Sequence, residues 1–219
     1  MRALNYVLEH CSKGAICCAV LALDKLWPMK KNSVATDIAY VAVFTALIIV
    51  FAFVSIPTPT AGVPIVLQNA VIILAGLVLG GRRGLFVGLL FIALGLVGLP
   101  ILAGGRSALS ALAGPTVGYL VGYVIAPAIA GLIAYRAPRN KGGMTLVLAI
   151  AGVVGLAVQY FCGILGLMYR SDMSFGAATI AQGPFLIPDL IKVAVMVVIA
   201  IGVHAAFPDL MGRRTAKAK

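Results

Sequence analysis

Residues 99–119, LPILAGGRSALSALAGPTVGY, form a glycine- and proline-rich stretch between two strongly apolar runs at 85–99 and 117–135. The stretch also carries Arg106, a charge close to membrane depth. Glycine lets a backbone approach a ligand closely, and the free N–H groups at the start of a helix attract anionic or carbonyl oxygens. We therefore predict that this stretch is a ligand-site loop and not a spacer.

The composition is that of a membrane protein. The chain has 219 residues, of which 62% are hydrophobic and 11% charged, and its mean hydropathy is +1.11. Its apolar runs approach the roughly 20 residues that a helix needs to cross a bilayer, and they lack the alternation typical of barrel strands. We predict an all-α integral membrane protein with six transmembrane helices and a Gly-rich outer loop between helices 3 and 4; the runs lie at 38–56, 65–79, 85–99, 117–135, 144–169 and 185–207.

Basic residues are distributed unequally between the two sides of this path, and the formal net charge is +11. Most of them flank the run ends that share a side with both termini, whereas Arg106 and Arg170 fall on the other side. The positive-inside rule then places the N- and C-termini in the cytoplasm. The charge therefore indicates topology and contact with anionic lipid, and we expect no nucleic-acid partner.

The sequence also limits cofactors and domains. Its four cysteines show no metal-ligand spacing with histidine, so we expect no metal site and no disulfide framework. No G-x4-G-K-[ST] phosphate loop is present, so ATP hydrolysis by that route is excluded. We expect residues 1–28 to be a poorly ordered extension or a start-site artefact, 29–214 to be the membrane domain and 215–219 to be a basic tail.

Polar residues gather at one depth of the predicted bundle. Because successive helices alternate in direction, Gln68, Tyr119 and Asp189 lie in first turns on the outer side, and Tyr160 lies near the end of an outward helix. Asp189 and Lys192 are three residues apart and share a helix face. Ionisable groups at such depth usually face the bundle interior and serve a function, so we predict one polar pocket in the outer leaflet.

Three features allow a second interpretation at this point. Asp189 and Lys192 could form only a helix-end ion pair, and Arg106 could be an exposed rim arginine without a ligand. Ala42 and Ala46 are four residues apart and form a smooth strip on the first helix. That strip suits either internal packing or docking of a partner subunit.

Three motifs together resemble the BioY family, the biotin-binding S components of energy-coupling-factor (ECF) transporters. They are VPIVLQNAVIILAGLVLG at 63–80, GLPILAGGRSALSALAGPTVGY at 98–119 and PFLIPDLIK at 184–192. The resemblance covers residues 29 to about 214 and implies high-affinity biotin capture from outside the cell, with no enzymatic activity. Ser107 and His204 lie at different depths, which disfavours the alternative of an intramembrane enzyme.

The resemblance also implies site residues. Biotin's ureido ring would meet Asp189 and Lys192, and its carboxylate would meet Arg106 or loop N–H groups. Val117 departs from the family's commoner glycine, and Arg106 stands where smaller residues are common. The residues that match the family's motifs in the substrate site are Gln68, Gly104, Gly105, Gly114, Thr116, Tyr119, Tyr160, Asp189 and Lys192.

By the same resemblance, the chain would work with a transmembrane coupling subunit and two ATPase subunits in a bacterial plasma membrane. ATP would be used by those subunits and not by this chain, which would need no cofactor of its own. The resemblance favours docking over packing for Ala42 and Ala46. An S component for another vitamin, such as riboflavin or thiamine, stays the alternative.

Overall fold

A computed structural model describes residues 34–56, 65–138 and 140–211. The expectations for the N-terminal extension 1–28 and the tail 215–219 lie outside the described residues.

Within these ranges the chain is almost entirely helical. The long helices are α1 Val34–Ala52, α2 Gln68–Leu79, α3 Gly81–Leu96, α5 Val117–Ala134, α6 Lys141–Ser171 and α8 Gly183–Ala206. The short elements are strands β1 Ser55–Ile56 and β2 Ile65–Val66, helices α4 Ala108–Leu112 and α7 Phe175–Ile180, and a 3-10 turn at Pro208–Met211.

Four of the described helices, α1, α5, α6 and α8, are long and apolar enough to cross a bilayer. The helix α2 is apolar but has only 12 residues, and α3 has 16. The predicted all-α membrane class is therefore confirmed. The described residues contain four candidate spans, whereas the sequence predicts six.

The second and third predicted runs start at different residues in the structure. The expected run at 65–79 loses its first residues because Ile65 and Val66 pair antiparallel with Ser55 and Ile56. The expected run at 85–99 instead begins at Gly81, directly after Gly80. Gly80 has φ 84°, a conformation that costs glycine little, so one residue makes the whole turn.

Helix α2 forms the centre of the bundle. All of its residues except Asn69 are buried, as expected for a helix that is apolar on every side. It packs against α1, α3, α5, α6 and α8. Helices α5 and α6 approach closely where Gly118 lies against the backbone of Cys162 and Gly166, and any side chain at Gly118 would collide there.

Helix α1 lies at the edge of the bundle. Only Thr45, Ile48 and Ala52 of this helix are buried. Ala42 and Ala46 are exposed, so the strip that they form is not used for packing among the described residues.

An ion pair joins α1 to the start of α3. The Arg83 side chain is only 2% exposed and donates from Nε to Asp37 Oδ1 over 3.0 Å, while its Nη2 also contacts that oxygen. Its guanidinium lies 5.3 Å from the centre of the Tyr40 ring. Because the single-residue turn at Gly80 lets α3 begin at Gly81, Arg83 lies inside the first turn of α3 and against α1.

Candidate functional site

A polar pocket lies at the end of the bundle nearest the 99–116 connection, which we call the pocket end. Helices α2, α5, α6 and α8 and that connection supply its walls. Its lining residues are Val66, Gln68, Asn69, Leu102, Ala103, Arg106, Thr116, Tyr119, Leu120, Tyr123, Gln159, Tyr160, Gln182, Phe185, Asp189 and Lys192.

The centre of the pocket is an ion pair on α8. Lys192 Nζ donates to Asp189 Oδ1 over 2.6 Å, and the side chains are 11% and 5% exposed. Their three-residue spacing puts both on one helix face, as the sequence predicts. Removing two charges from water costs several kcal/mol per ion. This cost is offset only if neighbouring groups form hydrogen bonds with the remaining lone pairs and protons of the pair.

Neighbouring elements supply those hydrogen bonds. Tyr160 on α6 donates from its hydroxyl to Asp189 Oδ2 over 2.8 Å, and Asn69 on α2 donates to the same oxygen over 3.2 Å. Lys192 also donates to the carbonyl of Val66 over 2.7 Å. The carboxylate is thereby held in one orientation by three donors from three helices.

Two polar groups in the pocket lack a partner among the described residues. They are the Thr116 hydroxyl and the Gln182 side-chain nitrogen, and both atoms are buried. The oxygen of the Gln182 amide is occupied, because Tyr119 donates its hydroxyl to it over 2.6 Å. A buried polar group without a partner costs about 1–3 kcal/mol, so both groups are suited to bind a polar ligand.

The connection after α3 closes one side of the pocket. Leu102 and Arg106 form a backbone bridge, and Gly104 and Gly105 make the turn between them with φ 75° and 70°. Arg106 is half-buried and its side chain makes one long hydrogen bond, 3.4 Å from Nε to the Ala103 carbonyl. Its guanidinium therefore keeps most of its donors for other partners.

Gln68 holds this connection against the bundle. Its side-chain nitrogen donates to the Ile101 carbonyl over 2.9 Å, and the residue is 1% exposed. The amide thus ties the loop to the first turn of α2 while it lines the pocket.

The structure brings together seven of the ten substrate-site residues that the sequence predicts. Gly104 and Gly105 are exposed turn residues, and Gly114 is half-buried near the end of α4; none of the three lines the pocket. The seven that line it are Gln68, Arg106, Thr116, Tyr119, Tyr160, Asp189 and Lys192.

The predicted site residues do not include Asn69, Gln159 and Gln182, three amide side chains that line the pocket. Asn69 adjoins Gln68, and Gln159 adjoins Tyr160, so each could have been found from its predicted neighbour. Gln159 donates to the Asn69 carbonyl over 3.3 Å and fixes α6 to α2. Gln182 stands in the connection between α7 and α8, where the sequence gives no periodic signal.

The described residues hold no group of three or more His, Cys, Asp or Glu side chains that could bind a metal ion. His204 lies on α8 far from the pocket, buried, with Nε2 2.9 Å from the Leu77 carbonyl. Ser107 instead caps α4 at the pocket end by accepting from the Ser110 N–H. The two residues therefore cannot form a catalytic pair.

Comparisons with known proteins agree with this architecture. The family model for the BioY family matches residues 27–209. A protein of Rhodobacter capsulatus named biotin transporter BioY is 37% identical, over 75% of this chain and 90% of the relative. A Thermotoga maritima protein of the same name is 35% identical, over 73% and 90% respectively.

A solved structure is also similar. The crystal structure of the S-component for biotin from an ECF-type ABC transporter matches with a TM-score of 0.71 and 30% identity, covering 81% of this chain and 95% of that one. Apolar helices of spanning length around a buried polar pocket define a membrane-embedded binding protein for a small molecule. Within that class, the chain belongs to the BioY family.

Proposed function

We propose that this chain captures biotin and serves as the substrate-specific S component of an ECF transporter. The chain is thus a transporter component and not an enzyme. The observation that carries the proposal is the buried Asp189–Lys192 pair at the centre of the pocket, in a chain whose relatives are named biotin transporters.

The chemistry of the pocket supports biotin as the ligand. The ureido ring of biotin has two N–H donors and one carbonyl acceptor. The Asp189 carboxylate offers acceptor sites to an N–H group, and Lys192 offers donors to the carbonyl. Two further groups without a described partner could also bind the ligand. The Thr116 hydroxyl could donate or accept a hydrogen bond, and the Gln182 amide nitrogen could donate one. Leu102, Leu120 and Phe185 supply apolar surface for the sulfur-containing ring.

The biotin carboxylate has a separate proposed partner. Arg106 lines the pocket from the 99–116 connection, and its guanidinium could bind a carboxylate through two parallel hydrogen bonds. The Lys192 ammonium and the Arg106 guanidinium then bind different groups of the ligand. Lys192 donates two of its protons to Asp189 and the Val66 carbonyl, and its third, with Nζ 3.5 Å from Asn69 Oδ1, serves the ureido carbonyl. Arg106 keeps donors for the acid group.

We further propose six membrane crossings with both termini in the cytoplasm. Helices α2 and α3 are short, but each crosses the bundle between a basic end near Arg82 and the pocket end. Arg82, Arg136 and Lys141 stand at the end opposite the pocket, which the positive-inside rule assigns to the cytoplasm. The pocket then opens toward the outside of a bacterial plasma membrane, where biotin is captured.

Delivery of biotin inward requires partners that use ATP. We propose a transmembrane coupling subunit and two ATPase subunits, because the chain has no phosphate-binding loop of its own. The exposed strip of Ala42 and Ala46 on α1 is the proposed docking surface, since small side chains let another helix approach closely.

Identification of the bound vitamin tests the proposal. The protein is purified in detergent from cells grown with biotin, riboflavin and thiamine, and the co-purified small molecules are identified by mass spectrometry. We expect biotin at close to one molecule per chain. Riboflavin or thiamine in its place would support the alternative of an S component for another vitamin and would overturn the assignment to biotin.

A further inference from the structure

A second concave surface lies on the membrane-facing side of the bundle, at the end opposite the pocket. It is a groove of about 560 Å³ between the first half of α1 and α3. Ile38, Phe86, Leu89 and Leu90 form its walls and are exposed. Such a groove is suited to an apolar chain and not to a polar solute.

One end of the groove is positively charged. Arg82 and Arg83 line it at the N-terminus of α3, where the first backbone N–H groups have no intrahelical partner. Asp37 is the acidic residue of the groove and neutralises one of the two guanidinium groups. The groove therefore retains one net positive charge at this end.

One buried donor of Arg83 has no partner among the described residues. Arg83 is 2% exposed, and its Nη1 atom has no hydrogen-bond partner among the described residues, although Nε and Nη2 both bond to Asp37. A guanidinium nitrogen without a partner in an apolar site is costly, and phosphate is an anion that arginine binds through two hydrogen bonds. Basic pockets between membrane helices on the cytoplasmic side recognise phospholipid headgroups in this way.

We infer that this groove binds one anionic phospholipid, with its phosphate at Arg82 and Arg83 and an acyl chain between α1 and α3. The lipid would bridge the two helices and would hold α1, which otherwise buries little of its surface, against the bundle. It would contact Ala42, which lines the groove, but not Ala46. The inference does not depend on the identity of the ligand in the polar pocket.

Native mass spectrometry of the full chain in detergent tests the inference with two lipids of equal chain length, phosphatidylglycerol and phosphatidylcholine. We expect phosphatidylglycerol to bind more tightly. Arg82→Gln should weaken its binding about fivefold, the effect of one basic residue at an anionic surface. The control Arg136→Gln, an exposed arginine at the same end but outside the groove, should bind as the wild type does.

A second pair of variants tests the acyl-chain part of the groove. Ala93→Phe narrows the groove and should lower phosphatidylglycerol binding, whereas Val198→Phe on the exposed side of α8 should not. Equal binding of the two lipids, or equal loss in Arg82→Gln and Arg136→Gln, would overturn the inference. Displacement of the lipid by an excess of glycerol 3-phosphate would also overturn it, because the site would then be one for a free phosphate.

Discussion

The Lys192 ammonium lies 2.6 Å from the Asp189 carboxylate, three residues away on α8, and both side chains are almost wholly buried. An ion pair in this position is weak evidence for stability, because desolvation offsets much of the attraction. Tyr160 and Asn69 both donate hydrogen bonds to the second oxygen of the Asp189 carboxylate. These bonds fix the orientation of the carboxylate and, through it, that of the Lys192 ammonium. The arrangement therefore supports our proposal that the pair recognises a ligand.

Tyr160→Phe tests whether the carboxylate must be held in place. The change removes the 2.8 Å hydrogen bond to Asp189 and leaves the ring, so we expect biotin affinity to fall about tenfold, as for a hydrogen bond to a charged group. Isothermal titration in detergent measures the affinity. Tyr169→Phe on the same helix is the control because Tyr169 is 80% exposed. Equal affinities for the two variants would contradict a role for the Tyr160 hydroxyl.

Thr116→Val tests the unpartnered hydroxyl in the pocket. The substitution keeps the shape of the side chain and removes an oxygen that has no described partner, so the free energy of unfolding should not fall. Biotin affinity should fall about fivefold, the value of one ordinary hydrogen bond. The control is Thr45→Val, whose hydroxyl bonds to the Val41 carbonyl away from the pocket. A loss of stability with unchanged affinity would make Thr116 a structural residue.

The sequence was sufficient for the site residues whose relationship is local. The spacing of Asp189 and Lys192 fixes their shared face, and helix direction brings Tyr160 and Gln68 to the same depth. The contact between Tyr119 and Gln182 joins residues 63 positions apart through an irregular connection, and no periodicity encodes it. Gly104 and Gly105 were expected near the ligand, but their positive φ angles make them turn residues on the surface.

The helix ends and the burial of charges also depended on tertiary structure. The apolar run at 65–79 has the composition of a helix throughout, but pairing with Ser55 and Ile56 takes its first residues into a strand. Arg83 follows another arginine and is typical of a loop anchor. Only the packing of α1 against α3 shows that Arg83 is buried and that its charge is compensated by Asp37.

Arg83→Met tests the ion pair between α1 and α3. The change leaves Asp37, which is 34% exposed, without its partner, so we expect the free energy of unfolding to fall by roughly 1–3 kcal/mol. Thermal unfolding in detergent provides the measurement, with Arg136→Met, an exposed arginine outside the groove, as the control. The double variant Asp37→Asn with Arg83→Met should recover part of the loss. Additive losses in the double variant would show that the two side chains are not coupled.

Ala42→Trp combined with Ala46→Trp tests the docking strip. Both residues are exposed and distant from the pocket, so biotin binding should be unchanged while co-purification with the coupling and ATPase subunits is lost. Val198→Trp places the same side chain on an exposed part of α8 and should leave the complex intact. Retention of the complex in the double tryptophan variant would exclude the strip as the docking surface.

Equilibrium biotin binding to the purified chain, measured for the wild type, Asp189→Asn and Asp172→Asn, tests the central claim most directly. Asp172 is exposed and has φ 49°, a conformation that asparagine also tolerates, so Asp172→Asn is a matched control. Asparagine cannot supply the charged acceptor that the ureido N–H is proposed to meet, and a hydrogen bond to a charged group is worth about 1.5–3 kcal/mol. Asp189→Asn should therefore bind biotin roughly tenfold to a hundredfold more weakly than the other two proteins. Equal biotin affinity in all three, or no binding by the wild type, would contradict the account.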